Sequence, residues 1–347
     1  MTCVSCSVIK FLYYFRRRDN SFPLDFFPPD TMEVPIERVV GHLSKYGYMD
    51  EEKSKKNPKE IPEDSIKQFQ EFNGMEVTGK CDEETSFAMK LPRCSHKDVQ
   101  KRKVRNLSED VTPTSRDLTM FEGDKWEKKK LTWRVTKFSS QGMPKELVNE
   151  SLRRAFYVWE KHADLTFVWV ETGVPDLEIR WEVGDHGDGD AFDGSGGTLA
   201  HAFFPQVYYE SPIFKCLINA KPSNVCLSQG DRLSGDLHFD DQEVWTLGTG
   251  RVGINLTQAA AHEIGHSLGL DHSRDKSALM APIYRGYQQE FDLQPDDIRN
   301  IQALYGKCTS PPEPIPAEKE WTPTRAPPSG SSSGVGSVFP SCPCSVM

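Results

Sequence analysis

A chain of 347 residues is long enough for two domains and a tail. Its net charge of −9 argues against a general nucleic-acid binder, and 37% apolar with 27% charged residues excludes a wholly disordered or fibrous chain. No apolar run approaches the ~20 residues needed to span a membrane.

Residues 1–30 read as an irregular terminus. Val8 to Phe15 is a short apolar run, interrupted by Lys10 and followed by Arg16, Arg17 and Arg18. A secretory leader has the opposite order, basic before apolar. A wrongly joined first exon is the favoured reason, with a poor export signal as the other. From Arg38 to Tyr46, the residues Val39, Val40, Leu43 and Tyr46 form a helical stripe, and a lysine-rich loop is expected from Asp50 to Lys59. Ile66, Phe69 and Phe72 mark a second helix that stops at Asn73-Gly74. Val77-Thr78-Gly79 reads as a turn, and Asp82 as the cap of a third helix reaching Lys90. This helical unit leads into Pro92-Arg93-Cys94-Ser95-His96-Lys97-Asp98 and the basic run Lys101 to Arg105. Within that run Arg102 and Arg105 match a minimal convertase site; a solvated charge run is an equal reading.

Further on, Leu131 to Val135 alternates like a strand. Leu147 to His162 has helical spacing, with Leu152, Ala155, Phe156 and Trp159 facing inward. Leu165 to Val170 and Leu177 to Trp181 read as strands. Three fragments rich in glycine, aspartate and histidine follow: His186-Gly187-Asp188, Phe192 to His201, and Asp236 to Glu243. Each alone reads as turns. The nine cysteines are an odd number, so at least one thiol stays unpaired, and Cys94 is the expected one. Cys216 and Cys226 flank a short loop that a local disulfide would close in an oxidising compartment. Asn106, Asn149 and Asn255 open glycosylation sequons.

The chemistry concentrates at His262-Glu263-Ile264-Gly265-His266-Ser267-Leu268-Gly269-Leu270-Asp271-His272. The preceding run, Leu256 to Ala261, is rich in helix formers, so His262 and His266 share one helix face. Two neutral imidazoles so placed can hold one zinc ion. Glu263, beside the first, is placed to act as general base towards water. Gly269 ends the helix and turns the chain, returning His272 as a third ligand. Three protein ligands leave a coordination position open, as catalytic zinc requires. Met280, in Ala278-Leu279-Met280-Ala281-Pro282, supplies the methionine turn of the extended metzincin signature.

With Ser273 after the third histidine, the sequence resembles the matrix metalloproteinases from about Arg38 to Lys307. The resemblance implies an α+β fold: a metzincin catalytic domain, a twisted mixed sheet with three helices, preceded by a small helical propeptide domain. The expected division is an irregular terminus over 1–30, a propeptide over 31–105, a catalytic domain over 116–307 and a disordered Pro/Ser-rich tail over 308–347. Pro92 to Asp98 resembles the family's cysteine switch, in which Cys94 would take the open zinc position and Arg93 would pair with Asp98. Ser95 and Lys97 depart from the family's glycine and proline there.

Further roles follow from the same resemblance. His186, Asp188, His201 and His238 would hold a second, structural zinc. Asp193, Asp240 and Glu243, with carbonyls of Gly194, Gly196 and Thr198, would hold calcium, and Asp176 with Asp236 a second calcium. Leu199 to Phe203 resembles the strand along which an extended peptide adds, Ala200 helping to bind the scissile carbonyl. Pro282-Ile283-Tyr284 would wall the specificity pocket and Gln258 lies where its depth is set. Gln206 to Ser234 is an insertion relative to the family, read either as a substrate-facing loop or as a retained or misjoined exon. The family's propeller domain is not expected after the tail. The implied protein is a secreted, latent zinc endopeptidase of the extracellular matrix. It would be a monomer acting on extracellular proteins, with tissue inhibitors of metalloproteinases as partners. A zinc-loaded binding module disabled by the insertion is the alternative.

Overall fold

The computed structural model describes residues 34–99, 125–205, 233–249, 253–289, 291–310, 312–315 and 321. The first stretch folds as four helices: α1 (Ile36–Lys45), α2 (Glu51–Lys56), α3 (Glu63–Phe72) and α4 (Glu83–Ala88). The stripes on α1 and α3 meet in one small core of Val39, Val40, Leu43, Tyr46, Tyr48, Met49, Ile66, Phe69, Phe72 and Ala88. The loop expected over 50–59 contains α2. The amide of its second residue, Glu52 N, donates to Asp50 Oδ1, and its acids precede its lysines, which suits the helix dipole. Asp82 caps α4 by accepting from Thr85 N at 2.9 Å. Gln70 is buried and fastens the Val77-Thr78-Gly79 turn: Nε2 donates to Thr78 Oγ1, and Oε1 accepts from Gly79 N.

The second stretch has β2 (Lys130–Lys137), α5 (Lys145–Glu160), β3 (Thr166–Trp169), β4 (Leu177–Glu182), β5 (Thr198–Ala202), β6 (Leu237–Asp240), β7 (Trp245–Thr246), β8 (Ile254–Asn255), α6 (Leu256–Ser267) and α7 (Pro295–Tyr305). β1 (Arg93–Cys94) belongs to the first stretch yet completes the main sheet, whose order is β1-β5-β6-β4-β2-β3. Its pairs are parallel except β5 with β6, so the sheet is mixed. β2 and β4 bury alternate residues, whereas every residue of β5 and β6 is buried. That is the pattern of strands covered on both faces.

α5 and α6 pack together behind the sheet around Trp159, Trp181, Trp245, Phe156 and Phe239. All twelve residues of α6 are buried, which removes any amphipathic pattern from it. Asn255 caps α6: Oδ1 accepts from Gln258 N at 3.0 Å and Nδ2 donates to Gly248 O at 2.7 Å. The residue is buried, so the expected sequon at Asn255 is closed to a glycan on the folded chain. At the other end of α6, Trp126 Nε1 donates to Ser267 O and the Tyr305 hydroxyl to Leu268 O. Trp321, in the stretch read as a disordered tail, pairs its backbone with Leu247 in both directions. The reading of residues 1–30, the convertase site, the Asn106 sequon and the Cys216–Cys226 loop lie outside the described residues.

Candidate metal centre and cleft

Among the described residues, two groups of metal-type donors each gather within 4.8 Å: Cys94, His262, His266 and His272, and His186, Asp188, His201 and His238. In the first, α6 presents His262 and His266 one turn apart. Gly269, at φ 101, bends the chain so that His272 comes back beneath them. A side chain at that φ would be strained. His262 Nε2 and His272 Nε2 lie 3.3 Å apart.

Each of the three rings has an acceptor at Nδ1: Leu279 O at 2.7 Å for His262, Leu270 O at 2.6 Å for His266, and Asp98 Oδ1 at 2.8 Å for His272. A ring that donates from Nδ1 keeps its lone pair on Nε2. His266 Nε2 is buried without a hydrogen-bond partner. Burial holds all three imidazoles below their ordinary pKa, His262 at about 4, so they are neutral near pH 7. Neutral rings with converging lone pairs, one of them orphaned, are the donor set that zinc requires.

Glu263 lies beside them, its pKa raised to about 8 by burial. The Cys94 thiol donates to Glu263 Oε2 at 3.6 Å, and His96 N donates to Cys94 Sγ at 3.3 Å. Burial and the Glu263 carboxylate push the thiol up, so only a cation beside it can hold it as thiolate. The floor is Met280, against Gly265: a Cβ added there would run into Met280 Sδ and lie 2.9 Å from Trp159 Cζ2. Asp297 fixes this turn, accepting from Leu279 N at 2.8 Å and Met280 N at 3.0 Å. Its part at the site is absent from the sequence reading. The available signal is the capping box that Gln294 and Asp297 make at the start of α7.

The cleft runs along β5 and already pairs with an extended segment. Arg93 N donates to Gly197 O, Ser95 N to Ala200 O, Cys94 N to Pro282 O, and Tyr284 N to Pro92 O, all within 3.0 Å. Arg93 and Asp98 are buried 2.5 Å apart, and the guanidinium lies 3.4 Å from the Tyr46 ring centroid. Tyr48 donates to Asp98 Oδ2 at 2.6 Å. The two departures from the family pattern find partners. Ser95 Oγ donates to Asp190 Oδ2 at 2.5 Å, and Lys97 pairs with Glu51 at 3.1 Å. A pocket beside His262 is lined by Leu199, Gln258, Pro282, Ile283 and Tyr284. Gln258 closes one wall: Nε2 donates to Gln288 O at 2.7 Å and Oε1 accepts from Gln288 N at 3.2 Å.

In the second group, Asp188 Oδ2 lies 2.6 Å from His186 Nε2 and 2.7 Å from both His201 Nε2 and His238 Nδ1. Three imidazoles crowded on one carboxylate oxygen suit a closed N/O site for a cation. Arg180 Nε lies 2.8 Å from His238 Nε2; a neutral ring that held a cation through Nδ1 would carry its proton on Nε2, facing Arg180. The expected calcium residues are looser. Gly196 N donates to Glu243 Oε1 at 2.6 Å and Thr198 N to Asp193 Oδ1 at 2.9 Å, while Asp240 Oδ2 is buried without a partner. Gly194 and Gly196 in that loop sit at φ 85 and 82. Asp176 and Asp236 are engaged separately, the first by Thr132 and Lys128, the second by Glu178 N.

The family model described as Matrixin matches residues 125–214 and 223–306. This chain belongs to the matrix metalloproteinase family. The matrixin match breaks inside Gln206 to Ser234, where the insertion was read. A second model, described as a putative peptidoglycan binding domain, matches residues 35–89, the helical unit. The chain is 37% identical over 300 residues to an interstitial collagenase of Equus caballus, covering 85% of this chain and 54% of that protein. It is 36% identical over 288 residues to matrix metalloproteinase-18 of Xenopus laevis, covering 83% and 53%. Against matrix metalloproteinase-20 of Homo sapiens it is 40% identical over 244 residues, covering 70% and 41%. It thus spans about half the length of these curated relatives.

Proposed function

We propose that this matrix metalloproteinase is a zinc-dependent endopeptidase held latent by its own helical domain and acting on extracellular matrix or other extracellular proteins. The observation that carries this reading is the set of three neutral imidazoles with inward lone pairs, flanked by a buried carboxylate, at a cleft strand that binds extended chain. His262, His266 and His272 would hold the zinc. When bound, zinc supplies Lewis-acid chemistry, polarising the scissile carbonyl and acidifying water. A substrate peptide pairs with β5 where Arg93 to Ser95 now lie, using the same carbonyls of Gly197 and Ala200. Glu263 Oε2 takes the proton of the attacking water and returns it to the leaving amine nitrogen. In the latent chain Cys94 Sγ stands in front of that oxygen and keeps water out.

The remaining roles belong to the same reading. The propeptide is 31–105, the catalytic domain 116–307 and the tail 308–347, with residues 1–30 outside both folded units. His186, Asp188, His201 and His238 hold a structural zinc. Asp193, Asp240 and Glu243, with carbonyls of Gly194, Gly196 and Thr198, hold calcium, and Asp176 and Asp236 serve a second. These ions staple long loops against the sheet and add stability rather than chemistry. Secretion, a monomeric state and tissue inhibitors of metalloproteinases as partners complete it.

The test is peptide cleavage after removal of the propeptide. Glu263→Ala is expected to keep its zinc and lose about 10²–10⁴-fold in rate on a fluorogenic peptide, the usual contribution of a general base. Cleavage at the unsubstituted rate, with zinc present in both, would remove Glu263 from the mechanism.

A further inference from the structure

The three histidines of the open site are held from behind by acceptors of two different origins. Leu279 O and Leu270 O, which hold His262 and His266, belong to the chain around the site itself. The third acceptor, Asp98 Oδ1 on His272, comes from the propeptide, 174 residues away in sequence. It is a carboxylate rather than a carbonyl, and both partners are fully buried. A carboxylate behind a ligating imidazole fixes the ring's tautomer and orientation and makes its other nitrogen a stronger donor. Asp98 is itself rigidly held, by Arg93 at 2.5 Å and by the Tyr48 hydroxyl at 2.6 Å, so it has no freedom to swing away.

We infer that Asp98 is a positioning residue for zinc: the propeptide completes the support of His272, and its removal loosens the metal as well as freeing the cleft. This rests on the reading of His262, His266 and His272 as the zinc ligands. The propeptide then holds the metal centre at two depths. Cys94 lies among the ligands, and Asp98 lies behind the one ligand whose Nδ1, among the described residues, is held by no acceptor from the catalytic domain. The Arg93–Asp98 pair acquires a second purpose. It positions an anion against His272 in addition to fixing the switch loop. The latent protein is accordingly the tight zinc carrier, and the processed enzyme the weaker one, through a difference that persists when the thiolate is taken away.

The test uses the full chain carrying Glu263→Ala and Cys94→Ser, which blocks self-cleavage and removes the thiolate. Zinc release to an excess of a colorimetric chelator is followed, and the phase that His266→Ala abolishes is assigned to this site. Adding Asp98→Asn is expected to speed that phase about 10–100-fold, the range for lost carboxylate support of a ligating histidine. Tyr48→Phe frees the same carboxylate of one hydrogen bond but leaves it on His272, and is expected to release zinc at the parent rate. Equal rates for parent and Asp98→Asn overturn the inference, as does a Tyr48→Phe rate matching that of Asp98→Asn. Should Asp98→Asn fail to fold, the imidazole Nδ1–H signals of the parent are compared before and after proteolytic removal of the propeptide. The His272 signal is expected to shift or exchange away while those of His262 and His266 stay. Three unchanged signals overturn the inference. A parent chain that retains no zinc at this site sinks the peptidase reading instead.

Discussion

Cys94 sits 3.6 Å from Glu263 and among three zinc-type histidines. On the proposed reading, one thiol would block both the metal position and the base. Cys94→Ser is expected to give peptide cleavage without proteolytic processing, because a hydroxyl is a poor zinc ligand where a thiolate is a good one. A full-length mutant as silent as the parent on a fluorogenic peptide would defeat the switch. At this scale much was legible. Spacing along a helix is local, so His262, Glu263 and His266 could be placed from sequence. The groups behind the rings were not, because Leu279 O and Asp98 reach the site from distant segments. Asn255 shows the converse: a tripeptide that reads as a glycan acceptor is spent on capping a helix.

α6 and the methionine turn form one unit. The helix carries two of the proposed ligands, and Met280 packs where Gly265 lacks a side chain. Gly265→Ala forces the methyl into Met280 and Trp159, an overpacking expected to cost about 1–3 kcal/mol and to shift the turn that anchors His262. A melting temperature within a degree or so of the parent, with unchanged zinc content, would show that the floor yields without strain. The α6 helix was legible through its helix formers and histidine spacing rather than through any stripe. β1 was not legible as a strand. Its two residues have strand geometry because β5 offers an open edge and Ile283 bridges Arg93 from the other side. The charged stretch 50–59 hid α2, whose apolar content is too low to show a period.

Across the molecule, buried carboxylates tie stability to pH and, on the proposed reading, to calcium. Burial raises Asp240 to about 6, Asp236 to about 7 and Glu243 to about 8. Raised carboxyl groups bind more protons in the folded chain than in the unfolded one above pH ~4, so the calcium-free protein loses stability as pH rises from there towards ~8. Carboxylates held low, such as Asp188 and Asp176, act in the opposite sense but only at the acid end of the scale. Calcium bound as proposed would compete with those protons. Its stabilising shift in melting temperature is expected to be larger at about pH 8 than at about pH 5. Equal shifts at the two pH values would mean that these three groups do not bind it.

By itself the sequence determined the ligand spacing, the glycine break, the helical stripes of the first domain and the order of strands and helices in the second. All of these are written in residues a few positions apart, where helix and strand geometry decides which side chains meet. Only the tertiary structure decided that Arg93 to Ser95 fill the cleft, that Ser95 finds Asp190 and Lys97 finds Glu51, and that Asp98 stands behind His272. Those contacts join segments roughly 45 to 190 residues apart. No local period encodes them. Lys97–Glu51 is an exposed pair within the first domain; the others exist because two domains bury their surfaces against each other, and buried polar groups there must find partners.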